Sequence, residues 1–289
     1  MPAQAATATF PVVQDCSPFA DFYASWHQLP NEIYATGTDW VPQGLAYDPS
    51  HQWLLTSYYD GTAGVPAADK KQSMLVATTL DGSWVKTLYL NTNDVDRGGH
   101  AGGLAVGNGT VYVSSTEHGP RVTRIPLKQI GHAANNSTLP DLPTVDLAAA
   151  SYASFADGKL YVGDFENNVL YSYATNAAGA PKLESRISYP TPTLVQGLVV
   201  TDSQFLYTRS YGRTRLSYLT TVDRQSGTSQ NTVLPNMAEG VTWGPAAPGA
   251  AAAELYVLFE SGSAAYGASS PGGATTCVTP QLWHRNPAG

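Results

Sequence analysis

A two-strand unit recurs five times along this chain and constrains its fold more than any other feature. In each copy, a short strand of small and apolar residues leads through a turn into a strand rich in β-branched and aromatic residues. Two such strands joined by a short turn predict a β-hairpin. The copies begin at Gln43, Gly102, Ser151, Gln196 and Glu239. Recurrence at intervals of roughly 50 residues indicates a repeat architecture.

Further strands complete each repeat. A third strand follows each of the first four hairpins, at Ser73 to Leu80, Arg121 to Leu127, Asn168 to Ala174 and Leu216 to Asp223. A fourth strand precedes the next hairpin, at Lys86 to Leu90, Thr144 to Leu147, Ser185 to Tyr189 and Asn231 to Leu234. Four-stranded units repeated around an axis form a β-propeller. We therefore predict an all-β, five-bladed β-propeller.

The last repeat lacks a strand that the start of the chain can supply. After its hairpin we find one more strand, Cys277 to Trp283, whereas Asn31 to Ala35 has no blade of its own. We predict that this N-terminal strand completes the last blade, because such closure removes open sheet edges. The expected organisation is an N-terminal extension, residues 1–30, and one propeller domain, residues 31–289.

The cysteines and the first residues suggest where the protein functions. Cys16 and Cys277 are the two cysteines of the chain, and an even pair without metal-binding spacing predicts one disulfide. Two buried free thiols are the alternative. Residues 1–8 are typical of the end of a signal peptide, although a disordered cytosolic N-terminus would look similar. Together these features favour a secreted, extracellular protein.

Charge and hydropathy exclude two kinds of partner. The net charge of −7 leaves no basic stripe for a phosphate backbone, so nucleic acid is not expected. No apolar run approaches the roughly 18 residues that span a bilayer, so no membrane partner is expected either. We expect a monomer that binds a small molecule or a glycan.

One face of the predicted propeller collects polar residues. Loops that lead into the innermost strands and loops that leave the second strands meet there, around the axis. We predict that Glu239 and His100 are catalytic in this pocket. The predicted substrate-binding residues are Gln43, Tyr59, Asp164, Gln196, Tyr211 and Arg213. In the alternative interpretation, this polar face binds no ligand. The tyrosines then pack between blades, and Arg213 lies in solvent.

Glu239 is the strongest catalytic candidate because two other copies carry the neutral amides Gln43 and Gln196 at its position. A carboxyl in a partly desolvated place is expected to have a raised pKa and to serve in acid/base chemistry. A purely structural carboxylate is the alternative. His100 lies among glycines that allow a ligand to approach, although a structural hydrogen-bonding role would need the same setting.

We expect no cofactor at this face. Ca²⁺ held by Glu239, Asp164 and Glu117 is the alternative, since Ca²⁺ prefers several oxygen ligands. The long connection from Ser261 to Thr275 is rich in Ala, Gly and Ser and is expected to form a mobile surface loop.

Three stretches resemble blade motifs of a known superfamily. Trp40 to Leu45, Gly99 to Leu104 and Glu239 to Trp243 are similar to motifs of secreted bacterial β-propellers in the gluconolactonase-like and strictosidine synthase-like superfamily. The resemblance implies that Glu239 is either a metal ligand, as in gluconolactonase-like members, or a single catalytic carboxylate without metal, as in strictosidine synthase-like members.

The residues and the resemblance together predict an exported enzyme that acts on a small organic molecule or an oligosaccharide. Its chemistry would be metal-independent general acid/base catalysis by a lyase, a cyclase or a hydrolase. The alternative is a lectin-like propeller that binds a ligand or carbohydrate without reaction.

Overall fold

The computed structural model describes residues 10–29, 38–247 and 252–286. The strands in this part of the chain form five sheets, and the sheets are the blades of a β-propeller. One blade has five strands and each of the others has four. The predicted fold class is therefore confirmed.

A short segment precedes the blades. It contains a 3₁₀ turn (Ser17–Phe19), helix α1 (Ala20–Ser25) and strand β1 (His27–Leu29). Phe22 of α1 packs on Phe259 and Trp283, with ring centroids 5.5 Å and 5.2 Å away. The aromatic residues of this segment thus attach it to the side of the propeller.

The chain returns from blade 2 to the outer edge of blade 1 before it completes blade 2. Blade 1 contains β2 (Trp40–Asp48), β3 (Trp53–Asp60), β4 (Met74–Thr79) and β5 (Trp84–Tyr89). Blade 2 contains β6 (Gly103–Gly107), β7 (Thr110–Ser115) and β8 (Arg121–Pro126), which leads into helix α2 (Leu127–His132). After α2, β9 (Ser137–Thr138) pairs in parallel with β5, and β10 (Thr144–Asp146) returns to β8.

The remaining blades repeat the antiparallel order. Blade 3 contains β11 (Tyr152–Ala156), β12 (Lys159–Asp164), β13 (Val169–Ala174) and β14 (Ile187–Pro190). Blade 4 contains β15 (Val195–Val200), β16 (Gln204–Arg209), β17 (Ser217–Asp223) and β18 (Ser229–Leu234). Blade 5 contains β19 (Ala238–Pro245), β20 (Ala253–Phe259) and β21 (Leu282–Arg285). Further 3₁₀ turns lie at Ala67–Asp69, Leu183–Ser185 and Ala264–Tyr266.

Two of the innermost hairpins have turns whose backbone angles are those that their residues favour. Asn108 and Gly109 have φ angles of 50° and 69°, and Asp157 and Gly158 have φ angles of 51° and 69°. Positive φ at both central residues is the type I′ geometry that matches the twist of the flanking strands. These dipeptides therefore fix the register of the innermost hairpins of blades 2 and 3.

The hydrophobic core lies between blades. Leu55 and Leu75 of blade 1 share one buried cluster with Leu104 and Val113 of blade 2. Equivalent clusters join the other neighbouring pairs, including blade 5 to blade 1. Because burial of apolar surface is the main favourable contribution to folding, each blade depends on both of its neighbours.

The innermost strands approach each other closely at glycines. An added Cβ at Gly44 would lie 2.7 Å from the backbone nitrogen of Leu104, and one at Gly240 would lie 2.6 Å from that of Leu45. A Cβ at Gly197 would lie 2.7 Å from the carbonyl oxygen of Glu239. No side chain fits at these positions, so glycine allows the blades to close around a narrow axis.

The N-terminus closes the ring as predicted. β1 pairs antiparallel with β21, with His27 opposite His284 and Leu29 opposite Leu282, so blade 5 has the order β1-β21-β20-β19. The predicted strand at residues 31–35 lies outside the described residues, and the strand that completes the blade is β1. The domain boundary between residues 30 and 31 stays a prediction.

The final strand begins later than the sequence suggested. Cys277 to Trp283 was predicted as a strand, but β21 spans Leu282–Arg285. Cys277 is tied to Cys16, with their Cα atoms 5.6 Å apart, and Pro280 has no amide hydrogen for a ladder. The predicted disulfide is confirmed.

In the described part of the chain, no helix has the length and hydropathy of a membrane span.

We expect Cys277→Ala to weaken the seam at which the ring closes. The disulfide joins residues separated by 261 positions, and loss of a native disulfide typically costs about 2–5 kcal/mol. For a domain of this size, Tm should fall by roughly 5–15 °C. Chymotrypsin should then cleave near Phe22 and Trp26, which are buried in the intact protein.

Cys16→Ala is the matched control, because it breaks the same bond and should give the same Tm. The double variant should be no less stable than either single variant. A melting curve of the wild type that is unchanged by reductant would contradict this account of the seam.

Candidate active site

A cup of about 570 Å³ lies on the axis at one face of the propeller, within the size range of small-molecule sites. It lies where the innermost strands begin and the second strands end. Its lining residues are Gln43, His100, Gly102, Thr116, Pro120, Ala150, Ser151, Asp164, Phe165, Glu166, Gln196, Glu239, Glu260 and Tyr266. All five blades thus contribute to one concave site.

The cup has a floor. Below it, the axis is lined by Leu45, Leu104, Ala153, Leu198 and Val241, and the space among them is too narrow for a water molecule. The glycines that bring the innermost strands together lie at the same level of the axis. A ligand therefore enters and leaves the cup by the same opening.

Irregularities in three strands aim side chains into the cup. The pairing register shifts between Pro42 and Leu45 in blade 1, and between Ala238 and Val241 in blade 5. A comparable shift in blade 4 lies at Gln196. Such bulges are frequent beside active sites because they re-aim a side chain. They explain why Gln43, Gln196 and Glu239, each followed by glycine, all line the cup.

Five of the eight predicted site residues line the cup: Gln43, His100, Asp164, Gln196 and Glu239. Tyr59 lies behind the wall, and its ring centroid is 4.3 Å from that of His100. Tyr211 is 54% exposed and is not among the lining residues. Arg213 lies over the ring of Tyr266, 4.7 Å from its centroid, and its guanidinium donates a hydrogen bond of 2.8 Å to Ser270.

The chemical centre of the cup is a pair of buried carboxyls. Glu239 is 3% exposed and Glu260 is 8% exposed. Burial, followed by the charge of Glu260, raises the pKa of Glu239 well above its usual range. Burial also raises the pKa of Glu260, although hydrogen bonds from Gln43 and Tyr266 and the charge of Arg213 oppose that effect. Two neighbouring buried carboxyls resist ionising together, so burial and mutual repulsion both favour protonation of the pair.

The hydrogen bonds around Glu260 of blade 5 connect it to blade 1 and to the connection that contains Tyr266. The Gln43 side-chain amide donates to Oε1 of Glu260. The Tyr266 hydroxyl donates to the same oxygen at 3.5 Å, and it lies 2.8 Å from the hydroxyl of Tyr59. Burial is the largest cause that raises the pKa of both tyrosines. They therefore stay protonated as hydrogen-bond donors.

His100 borders the cup and is exposed to solvent, and its lowered pKa favours the neutral imidazole. The surrounding protein desolvates the ring in part and lowers its pKa, an effect that the carboxylate of Glu117 opposes. Its backbone amide donates to Oε1 of Glu117, which also accepts a hydrogen bond of 2.6 Å on Oε2 from Ser115. Glu117 thus holds the His100 loop in place.

The rim of the cup is acidic. Burial opposes ionisation of Asp164, but hydrogen bonds from Asn167 and from the amide of Glu166 outweigh it and lower the pKa of Asp164. Glu166 lies beside it on the rim. Among the described residues, no three His, Cys, Asp or Glu side chains are grouped as a metal site.

The sequence analysis did not select two functional candidates, although it placed Glu260 on the polar face with the other residues that follow second strands. Glu260 directly follows β20, and the preceding Phe259 lies opposite Ala238, so the strand register itself brings Glu260 near Glu239. Tyr266 belongs to the connection predicted to be a mobile surface loop. That prediction does not fit the residues around Tyr266, which form a 3₁₀ turn capped by Ser263. No local pattern in the sequence identified this turn.

Removal of one carboxyl should change how stability depends on pH. The raised pKa values mean that the folded protein holds more protons than the unfolded chain above about pH 4.3. This contribution to the free energy of unfolding is complete at low pH and is lost as pH rises through the raised values. Glu239→Gln should therefore gain stability relative to wild type between about pH 5 and pH 8.

Urea denaturation across that pH range measures the difference. Glu184→Gln is the control, because Glu184 is an exposed carboxylate on blade 3, and it should follow the wild type. Parallel stability curves for Glu239→Gln and the wild type would show that the buried pair does not retain a proton.

Comparisons with known proteins support the fold. No family model matches the chain, and no curated protein matches it. Among solved structures, a Myxococcus xanthus glutaminyl cyclase has a TM-score of 0.52 and 14% identity, over 90% of this chain and 94% of that chain. A nidogen/laminin complex has a TM-score of 0.47 and 14% identity, over 76% of this chain and 73% of that chain. At this level of identity, the likeness to the cyclase shows that the two chains share a fold.

Proposed function

We propose that this protein is an enzyme that closes a ring in its substrate by general acid/base catalysis in the axial cup. The observation that carries the proposal is the buried pair of Glu239 and Glu260. With one carboxyl ionised and the other protonated, the pair would offer a base and an acid in one site. A purely structural role would not need them at the bottom of an open, water-accessible cup.

The reaction class is suggested by the fold likeness to a glutaminyl cyclase. In such a cyclisation, the substrate ammonium group first loses one proton to solvent, and the neutral amine then attacks the carbon of a side-chain carboxamide in the same molecule. A new C–N bond forms, and the ionised carboxyl accepts the proton that the amine loses. The protonated carboxyl then donates to the leaving nitrogen, the old C–N bond breaks, and ammonia departs. Proton return within the pair restores the starting state.

The electrostatics of the cup suit a substrate with a primary amine. Asp164 and Glu166 on the rim and the pair below them create a negative potential, which attracts an ammonium group and raises its local concentration. Arg213 lies behind Tyr266 and is not among the lining residues. The amides of Gln43 and Gln196 and the neutral His100 supply hydrogen bonds for the carbonyl groups of the substrate.

We favour an enzyme over a lectin-like propeller because the blades are not equivalent. The residues that begin the innermost strands differ from blade to blade, and they converge on one cup. A lectin built on repeats would instead present similar shallow sites between blades.

We further propose that the reaction needs no metal, since the pair itself supplies both proton-transfer groups.

We also propose that the protein is exported. This proposal rests on the Cys16–Cys277 disulfide, because such bonds persist in oxidising compartments.

The first experiment is ammonia release from short peptides that begin with glutamine. Wild type should release ammonia and leave a product with a blocked N-terminus. Glu239→Gln and Glu260→Gln should each lower kcat/KM by about 10²- to 10⁴-fold. The amide that Glu239→Gln introduces would match the amides of Gln43 and Gln196, so circular dichroism and Tm at pH 5 should stay close to those of the wild type.

Glu184→Gln should retain full activity as the matched surface change. Peptides with an acetylated N-terminus should not react, because they have no free amine. Turnover by Glu239→Gln at the wild-type rate would exclude the pair as the catalyst. Glycan binding by wild type at several blades, without any turnover, would favour the lectin-like alternative.

A further inference from the structure

The two carboxyls of the pair have unequal surroundings. Oε1 of Glu260 accepts hydrogen bonds from Gln43 and from Tyr266. Glu239 interacts with the hydroxyl of Ser210. A hydroxyl can donate to a carboxylate or accept from a carboxylic acid. An amide NH₂ group can only donate, so the Gln43 contact distinguishes Glu260 from Glu239.

The orientation of the Gln43 amide is fixed by the backbone. Its nitrogen also donates to the carbonyl oxygen of Pro42 at 3.0 Å. A carbonyl oxygen only accepts, so a flipped amide would place its own oxygen against that of Pro42. The nitrogen must therefore point toward Glu260, whose Oε1 must be an acceptor.

Tyr266 adds a second donor to the same oxygen. Its hydroxyl lies between the Tyr59 hydroxyl, at 2.8 Å, and Oε1 of Glu260, at 3.5 Å. When Tyr59 donates to Tyr266, the proton of Tyr266 is free to point at Glu260. Arg213 lies over the Tyr266 ring, and its positive charge also favours an anion at Glu260.

Several contacts hold Tyr266 in position. The amide of Thr275 donates to the carbonyl oxygen of Tyr266 at 3.1 Å, and the amide of Thr276 donates to that of Arg213 at 3.1 Å. Cys277, the next residue, is bonded to Cys16. The ring of Tyr266 is thus placed by a tethered connection, so its hydroxyl is a fixed part of the site.

We propose that Gln43 and Tyr266 hold Glu260 as the ionised member of the pair, so that the shared proton rests on Glu239. Glu260 is then the base and Glu239 the acid of the proposed reaction, and Tyr266 is a positioning residue that acts through Glu260. This assignment rests on the proposed function, but the protonation states can be tested without any substrate.

The test follows the titration of a single carboxyl. In Glu239→Gln, Glu260 is the remaining member of the pair, and its protonated C=O band can be titrated by infrared difference spectroscopy. A Glu239→Gln/Tyr266→Phe variant loses one donor to Oε1 and keeps the ring on Arg213. The midpoint should rise by about one pH unit, because a hydrogen bond to a charged group is lost.

Glu239→Gln/Tyr211→Phe is the control, because Tyr211 is an exposed tyrosine outside the cup. It should leave the midpoint unchanged. Glu239→Gln/Gln43→Met provides a second test if the Tyr266 variant does not fold, and it should also raise the midpoint. In Glu260→Gln, the midpoint for Glu239 should lie above the midpoint for Glu260 in Glu239→Gln.

An unchanged midpoint in both the Tyr266 and the Gln43 variants would overturn the inference. A midpoint for Glu239 in Glu260→Gln that lies below the midpoint for Glu260 in Glu239→Gln would do the same, because Glu239 would then be the stronger acid of the two. Failure of the peptide assay alone would reject the proposed reaction and leave this titration result intact. If the peptides do react, Tyr266→Phe should move the acidic limb of the kcat/KM profile to higher pH.

Discussion

The close approach of the innermost strands is the constraint on which the rest of the structure depends. At Gly44, Gly197 and Gly240 the backbone of one blade lies where any side chain would collide with the next. This contact narrows the axis until water cannot pass, and the cup thereby acquires a floor. A floor keeps Glu239 and Glu260 away from bulk solvent on one side, and so contributes to the burial that raises their pKa values. The chemistry proposed for the site is therefore a consequence of how tightly the ring closes.

Much of the fold could be predicted from the sequence because its signals are local and repeated. Alternating strands, the Asn108-Gly109 and Asp157-Gly158 turns and the five hairpins define the blades. The incomplete repeat at the C-terminal end indicated that an N-terminal strand was needed. The ends of a strand are not set by its local sequence pattern where a tertiary restraint overrides that pattern. Cys277 to Gln281 has the composition of a strand, but the disulfide and Pro280 keep it out of the sheet.

The sequence predicts the part of the site that is formed by equivalent positions in different blades. Gln43, Gln196 and Glu239 occupy equivalent positions, and all three reach the cup through bulges. Glu260 was harder to identify, because its importance depends on a neighbour across the strand pair. Tyr266 could not be identified from local sequence. It reaches the cup through a connection of small residues whose path is set by Arg213, by Thr275 and by the bond to Cys16.

The last blade is made from both ends of the described chain, with β1 at one edge and β19 at the other. During synthesis, β1 leaves the ribosome before every other strand of the ring, and its partner β21 leaves after them all. Blades 1 to 4 can therefore assemble while the His27–Leu29 strand has no partner, and the most non-local pairing of the fold is formed last. High contact order slows folding, so closure of blade 5 is expected to be the slow step.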